Sequence, residues 1–294
     1  MPKRKTDSNE QVDELIKREF ESLTRSERHF ADLLLSNYPV SGIGSITQIA
    51  QKANVSPPTI VRLVKKLGFS GFPEFQSALR VELEAKMAGP ISKHDSWVQH
   101  APDSHILNRF ADVVTDNIRQ TLGQIETDSF DASSALLANA KKPLYVVGGR
   151  ITRALADYLF LHMQVIRSDV THIQSISNSW PHYLLDMNEK SVLVIFDIRR
   201  YEKSLLTLAS AAHKKGATII LFTDQWRSPI EKFAHHMFCA KIVAPSAWDS
   251  TIGIQLIVET FVAAVQELNW DKKRGRIEEL EELFDKTQLF EKFH

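Results

Sequence analysis

From residue 144 onward the chain alternates short apolar runs with amphipathic stretches, and this alternation constrains the fold more than any other feature. Leu144 to Val147, Asp169 to Ile173, Val192 to Phe196 and Thr218 to Phe222 read as strands, and residues 151–166, 177–186, 202–215 and 228–234 carry helical spacing. A strand that returns parallel to its predecessor needs a crossover, usually a helix. The alternation therefore predicts an α/β doubly wound parallel sheet with helices on both faces. His236 to Lys241 would extend this sheet, and helical runs at 105–125 and 131–141 precede it. Residues 247–269 predict a long apolar helix, and the tail from Arg276, with Ile277, Leu280, Phe284 and Leu289 among carboxylates, reads as a partner or oligomer helix.

The beginning of the chain has a different texture. Apolar residues recur at helical spacing through 10–22, 25–37, 46–53, 57–67 and 73–87, with no strand alternation among them. Thr24 followed by Glu27 reads as a capping box. Between Met87 and Ser104 lie Gly89-Pro90, Ala101-Pro102 and scattered polar residues without periodicity. Two domains follow: an all-α helix-turn-helix bundle over 1–85, a linker over 86–104, and the α/β domain over 105–294.

The helix-turn-helix is legible residue by residue. In Ile46-Thr47-Gln48-Ile49-Ala50-Gln51-Lys52-Ala53 the small Ala50 would let a second helix cross closely. Asn54 suits the left-handed turn, because asparagine tolerates positive φ better than most residues. Val55 then packs under the turn, Ser56 is a natural N-cap and Pro57 a natural first helical residue. Ile60, Leu63 and Val64 would face inward, leaving Pro58, Thr59, Arg62, Lys65 and Lys66 toward solvent or DNA.

Charge sharpens this reading. Lys plus Arg and Asp plus Glu both total 36, so no global field attracts a polyanion. Yet residues 41–80 hold Lys52, Arg62, Lys65, Lys66 and Arg80 against Glu74 alone. Such a local basic patch on a second, exposed helix fits double-stranded operator DNA. Ser56, Lys65 and Lys66 suit phosphates, whereas Pro58, Thr59 and Arg62 are placed for base edges, with Arg62 the expected guanine reader. The alternative is a structural or protein-binding module whose lysines form a solvated face. The chain also lacks an apolar run behind its Met-Pro-Lys-Arg-Lys start and any segment suited to a bilayer, so a cytoplasmic protein without membrane partners is expected. The single cysteine, Cys239, has no second thiol for an internal disulfide and lies in an apolar stretch.

Four segments, Leu23-Thr-Arg-Ser-Glu-Arg, Ser45-Ile-Thr-Gln-Ile-Ala, Val55-Ser-Pro-Pro-Thr-Ile-Val-Arg and Lys66-Leu-Gly-Phe-Ser-Gly-Phe-Pro-Glu-Phe, resemble the N-terminal domain of RpiR/MurR-type transcriptional regulators over roughly residues 10–85. The α/β region more loosely resembles the sugar isomerase (SIS) domain that such regulators carry. The resemblance implies a regulator whose operator binding responds to a phosphorylated sugar or related small anionic metabolite, acting as a homodimer or homotetramer.

In open parallel sheets, ligands bind beyond the carboxyl ends of the strands. After the first strand, Gly148-Gly149-Arg150 combines close backbone approach with a cation. After the second, Ser175 and Ser177 offer hydroxyls, either to a ligand or as N-caps. After the fourth, Thr223 offers another. After the third strand, SIS domains typically carry a serine- and threonine-rich phosphate loop, and here the sequence reads Asp197-Ile198-Arg199-Arg200-Tyr201-Glu202. Arg199 and Arg200 could hold a different anion, such as a carboxylate, or pair with Asp197, Glu202 or a neighbouring subunit. Trp248 could line the pocket or a dimer core.

Two rival function classes stay open. A SIS-fold sugar-phosphate isomerase would need a positioned acid and base, but His162, His172, His213 and His236 share no local pattern, and no nucleophile motif, P-loop or metal spacing is present. No catalytic residue, metal or cofactor is therefore expected. Alternatively, the α/β domain serves only to oligomerise a DNA-binding module.

Overall fold

The computed structural model describes residues 11–100, 104–174, 176–268 and 270–290. The chain divides between Gly89 and Pro90 into two compact units.

The first unit contains α1 (Val12–Glu19), α2 (Arg25–Ser36), α3 (Ile46–Lys52), α4 (Pro57–Lys66) and α5 (Phe72–Met87). Its helix starts are chemically defined. Thr24 and Glu27 cap α2 reciprocally as expected, and Ser45 with Gln48 does the same for α3, which the sequence reading did not anticipate. Phe30, Leu34, Ile60, Leu63, Val64, Phe75 and Leu79 are fully buried in one core. Phe75 sits at its centre, with the rings of Phe30, Phe69 and Phe72 within 6.3 Å. Gly42 lets this core close, because an added Cβ would meet Leu79 at 2.3 Å and Leu34 at 2.7 Å. At the edge of the core, Glu82 of α5 accepts from the Val12 amide at 3.0 Å and from the Tyr38 hydroxyl. Burial pushes the Glu82 carboxyl up to about 7, although these hydrogen bonds oppose the shift.

The second unit begins with a helix where the sequence suggested none. The segment read as a linker over 86–104 contains α6 (Pro90–His100), whose proline occupies the first turn, where its missing N–H costs nothing. There follow α7 (Ile106–Leu122), α8 (Thr127–Ala138), β1 (Leu144–Gly148), α9 (Arg153–Ile166), β2 (Val170–His172), α10 (Trp180–Asp186), β3 (Val192–Phe196), α11 (Lys203–Lys214), β4 (Thr218–Asp224), β5 (His236–Ala240), α12 (Ile252–Glu267) and α13 (Trp270–Thr287). Two expected helices are shorter than their apolar content implied. Residues 228–234 form only a 3-10 turn, Pro229–Phe233, and the helix expected from 247 starts at Ile252. In the loop before it Trp248 is 55% exposed in the single chain.

The five strands are all parallel, in the order β2-β1-β3-β4-β5. Strands β1 and β3 are buried along their whole length, which matches their unbroken apolar runs and the covering of both faces by helices. On one side Phe222 and Phe238 pack against Phe261 of α12. On the other, Leu205, Leu208, Ala209 and Ala212 of α11 pack on the sheet with Trp180 and Ile230. The chain leaves β1 toward β2 on one side and returns to β3 on the other, so the carboxyl ends of β1 and β3 flank a crevice. No helix among the described residues is long and apolar enough to cross a membrane.

Candidate nucleic-acid interface and ligand crevice

In the first unit, α3 and α4 are joined by a turn in which Asn54 adopts φ 52°, the left-handed conformation its chemistry suggests. Ala50 is 3% exposed where the helices cross, and Pro57 is the first residue of α4. Pro57, Pro58, Arg62 and Lys65 are exposed along the free side of α4, and Lys66 is exposed at its end.

Three side chains differ from the sequence reading. Thr59, expected toward solvent, is 4% exposed, because it lies one turn before Leu63 and shares its inward face. Its hydroxyl lies 2.9 Å from that of Ser56 and accepts from Arg62 Nη2 at 3.3 Å. Ser56 holds the N-cap position but makes no side-chain cap bond; its hydroxyl is turned to Thr59 instead. Lys66 donates to the Ser22 carbonyl at 2.6 Å and lies 3.7 Å from Glu27, so it fastens α4 to the start of α2. Burial would raise the Glu27 carboxyl, but hydrogen bonds from Thr24 and the charges of Lys66 and Arg62 hold it below the ordinary range.

In the second unit, the turn after β1 is built on close approach. A Cβ on Gly148 would lie 2.5 Å from the Thr152 carbonyl oxygen, and one on Gly149 would lie 2.6 Å from Glu202 Oε1. Thr152 accepts from the Gly149 amide at 2.8 Å and donates to the Phe196 carbonyl at 2.7 Å, tying the turn to the end of β3. The Arg150 amide donates to Glu202 Oε1 at 2.6 Å. A carboxylate from the loop after β3 thus lies where the glycine turn can receive an anion. The Arg150 side chain is exposed.

Arg199 is not a free anion receptor. It binds Asp249 in bidentate fashion, Nε to Oδ2 at 2.9 Å and Nη2 to Oδ1 at 2.6 Å, and its guanidinium lies 4.2 Å from the Trp226 ring centre. Lys93 of α6 donates to the same Asp249 Oδ1 at 2.6 Å. Burial lowers the Lys93 ammonium despite this partner. The structural pairing considered for Arg199 exists, but with a carboxylate 50 residues away rather than with Asp197 or Glu202. Arg200 remains exposed.

Beneath these loops lies a polar floor. Asp224 accepts from the Arg199 amide at 2.6 Å, the Tyr201 hydroxyl at 2.8 Å and the Trp226 amide at 2.8 Å. Burial pushes the Asp224 carboxyl up against these bonds. Asp197 accepts from the Ser228 hydroxyl and the Glu202 amide, and burial pushes it up to about 6. Thr223, expected at the ligand, is fully buried in this floor: it donates to the Asp197 carbonyl at 2.7 Å and accepts from the Ser228 amide at 3.0 Å. The end of β4 is covered by the 224–228 turn, which explains its burial. Ser177 is exposed at the start of a 3-10 turn, and Ser175 lies outside the described residues. Sequence reasoning missed Asp249, Trp226 and Lys93 because nothing local to them announces a partner in a distant loop.

Comparison with known proteins agrees with both halves. Residues 10–86 match the helix-turn-helix domain of the rpiR family, and residues 136–265 match the SIS domain. The HTH-type transcriptional regulator RpiR of Escherichia coli (strain K12) is 24% identical over 261 residues, covering 85% of this chain and 84% of that protein. Among solved structures, the sugar isomerase domain of an RpiR transcription factor from Sphaerobacter thermophilus covers 60% of this chain and 97% of its own, with TM-score 0.56 and 18% identity. The Vibrio vulnificus NanR protein, solved in complex with ManNAc-6P, covers 94% and 98%, also with TM-score 0.56 and 18% identity. With a matching helix-turn-helix domain, a matching SIS domain and regulators among its relatives, this chain belongs to the RpiR family of transcriptional regulators.

Proposed function

We propose that α4 binds operator DNA and that a small anionic metabolite, a sugar phosphate or a sugar or organic acid, binds the β1/β3 crevice and alters that binding. The observation that carries the effector half is the Arg150 amide, presented after the paired glycines and already engaged by a carboxylate. An effector anion exchanges with Glu202 there, while the exposed Arg150 and Arg200 side chains close over it. Ser177, exposed in the loop after β2, is the hydroxyl this reading assigns to the effector. The likeness to a relative solved with ManNAc-6P supports the sugar-phosphate class.

The route outward from the crevice is physical. Asp249 holds both Arg199 and Lys93, and Lys93 stands on α6, the first helix after the division at Gly89. An anion that competes for Arg199 leaves Asp249 to Lys93 alone and so changes how α6 is anchored. On the DNA, Arg62, Pro58 and Lys65 make the contacts, with Arg62 preset by Thr59. Two copies of α4 in a cytoplasmic homodimer or homotetramer read a near-palindromic site. The protein catalyses no turnover in this reading.

A second reading, in which the α/β domain only oligomerises, is favoured by the closed Arg199–Asp249 pair and the filled amide cradle. Thermal unfolding in the presence of phosphosugars, including ManNAc-6P, and sugar acids separates the two. A true effector raises the unfolding temperature by mass action and shifts the operator affinity. If no compound in either class does so, the oligomerisation reading stands.

A further inference from the structure

At the opposite, amino-terminal edge of the sheet lies a cavity of about 570 Å³ between the ends of α8, α9 and α12 and the start of α13. Lys141, Arg167, Lys273 and Arg276 line it together with Asn139 and Ser168, and no carboxylate is among the described lining residues. Arg167 is 2% exposed and Lys273 is 7% exposed. Removing a cation from water is costly unless an anion compensates it.

Among the described residues, the groups these cations donate to are neutral carbonyls. Arg167 donates to the carbonyls of Ser168 at 3.0 Å, Leu137 at 3.0 Å, Lys142 and Asp169 at 3.5 Å. Lys273 donates to the Val265 carbonyl, and Arg276 to the Gln164 carbonyl at 2.8 Å. The carbonyls fix the positions of the cations without cancelling their charge. Burial lowers both Arg167 and Lys273, and the charge of Asp169 offsets this only for Arg167.

We infer that this cavity is a second anion site, distinct from the crevice, for a small molecule carrying at least two negative charges, either a polyphosphate or a polycarboxylate. Its volume suits a small metabolite and excludes a macromolecule. Buried Arg167 and Lys273 form the base, and exposed Lys141 and Arg276 the rim. Because α9 runs from the glycine turn to Arg167, an anion bound here steadies the helix that also carries the crevice turn.

The test is calorimetric titration of the full chain with inorganic pyrophosphate and with citrate, which distinguish the two sources of charge. Saturable binding of either probe, weakened about tenfold or more in the Lys141→Gln/Arg276→Gln double variant, is the expected result. Both substitutions are at exposed positions, and an unfolding temperature matching wild type checks that the fold survives the loss of the Arg276 bond to the Gln164 carbonyl. Lys214→Gln removes a surface charge outside the lining and should leave binding unchanged. Absence of saturable binding of both probes overturns the inference, and so does binding that the double variant retains in full.

Discussion

Glu202 Oε1 accepts the Arg150 amide at 2.6 Å, so the anion cradle after β1 is occupied by a carboxylate of the chain itself. In the proposed reading an incoming anion must displace Glu202, which makes this loop a specificity device. Glu202→Ala removes both the competing acceptor and its charge. The variant should bind phosphosugars about tenfold more tightly than wild type in calorimetric titration, since a charge-assisted bond to the amide becomes available. Affinity equal to or below wild type would show that the cradle is not the anion subsite.

Arg199 and Asp249 form a nearly buried bidentate pair, with side-chain exposures of 5% and 15%. Arg199→Ala leaves Asp249 with Lys93 alone and should destabilise the second unit by about 3 kcal/mol. Arg199→Lys should recover little, because an ammonium reproduces neither the fork nor the stacking on Trp226. Arg200→Ala, at an exposed position, should change stability by less than about 0.5 kcal/mol. Urea unfolding of the three variants measures the contrast.

The Glu82 carboxyl gives the first unit a pH dependence. Its folded value, raised to about 7 from 4.5, means that the native state keeps a proton the unfolded chain releases. Stability is therefore greatest below about pH 4.5 as far as this group is concerned. It falls by up to about 3 kcal/mol as pH rises through 7. Glu82→Gln should flatten that fall, measured as the difference between wild-type and variant unfolding curves from pH 4.5 to 8. A parallel pH dependence in both proteins would assign it elsewhere.

What was legible in the sequence was what local chemistry decides. Asn54 at positive φ, Pro57 opening α4, the Thr24–Glu27 box and the unbroken apolar strands β1 and β3 each depend on neighbours within a few residues. The misplacement of Thr59 was avoidable, since its spacing of four from Leu63 puts both on one face. The Arg199–Asp249–Lys93 cluster was not legible, because its members come from three segments joined only by the fold. Nor could Thr223 be told from a ligand hydroxyl before the 224–228 turn was seen to cover it.

Thr59 also makes a prediction about positioning. Its hydroxyl ties Arg62 to Ser56, so Thr59→Val keeps the volume and the buried methyl but frees the guanidinium. Operator affinity should fall by about 1 kcal/mol, as expected for one lost hydrogen bond. Non-specific DNA binding should be unchanged. Fluorescence anisotropy with specific and scrambled duplexes reads the difference.

In the proposed reading α4 reads DNA through Arg62. The most direct test is the anisotropy-measured affinity of wild type and Arg62→Ala for the operator, each against a scrambled duplex at fixed salt. Arg62 is exposed, so the variant folds normally. A loss of roughly 1 to 3 kcal/mol confined to the specific duplex is the predicted result. Unchanged specific affinity, or an equal loss on both duplexes, would contradict base reading by Arg62.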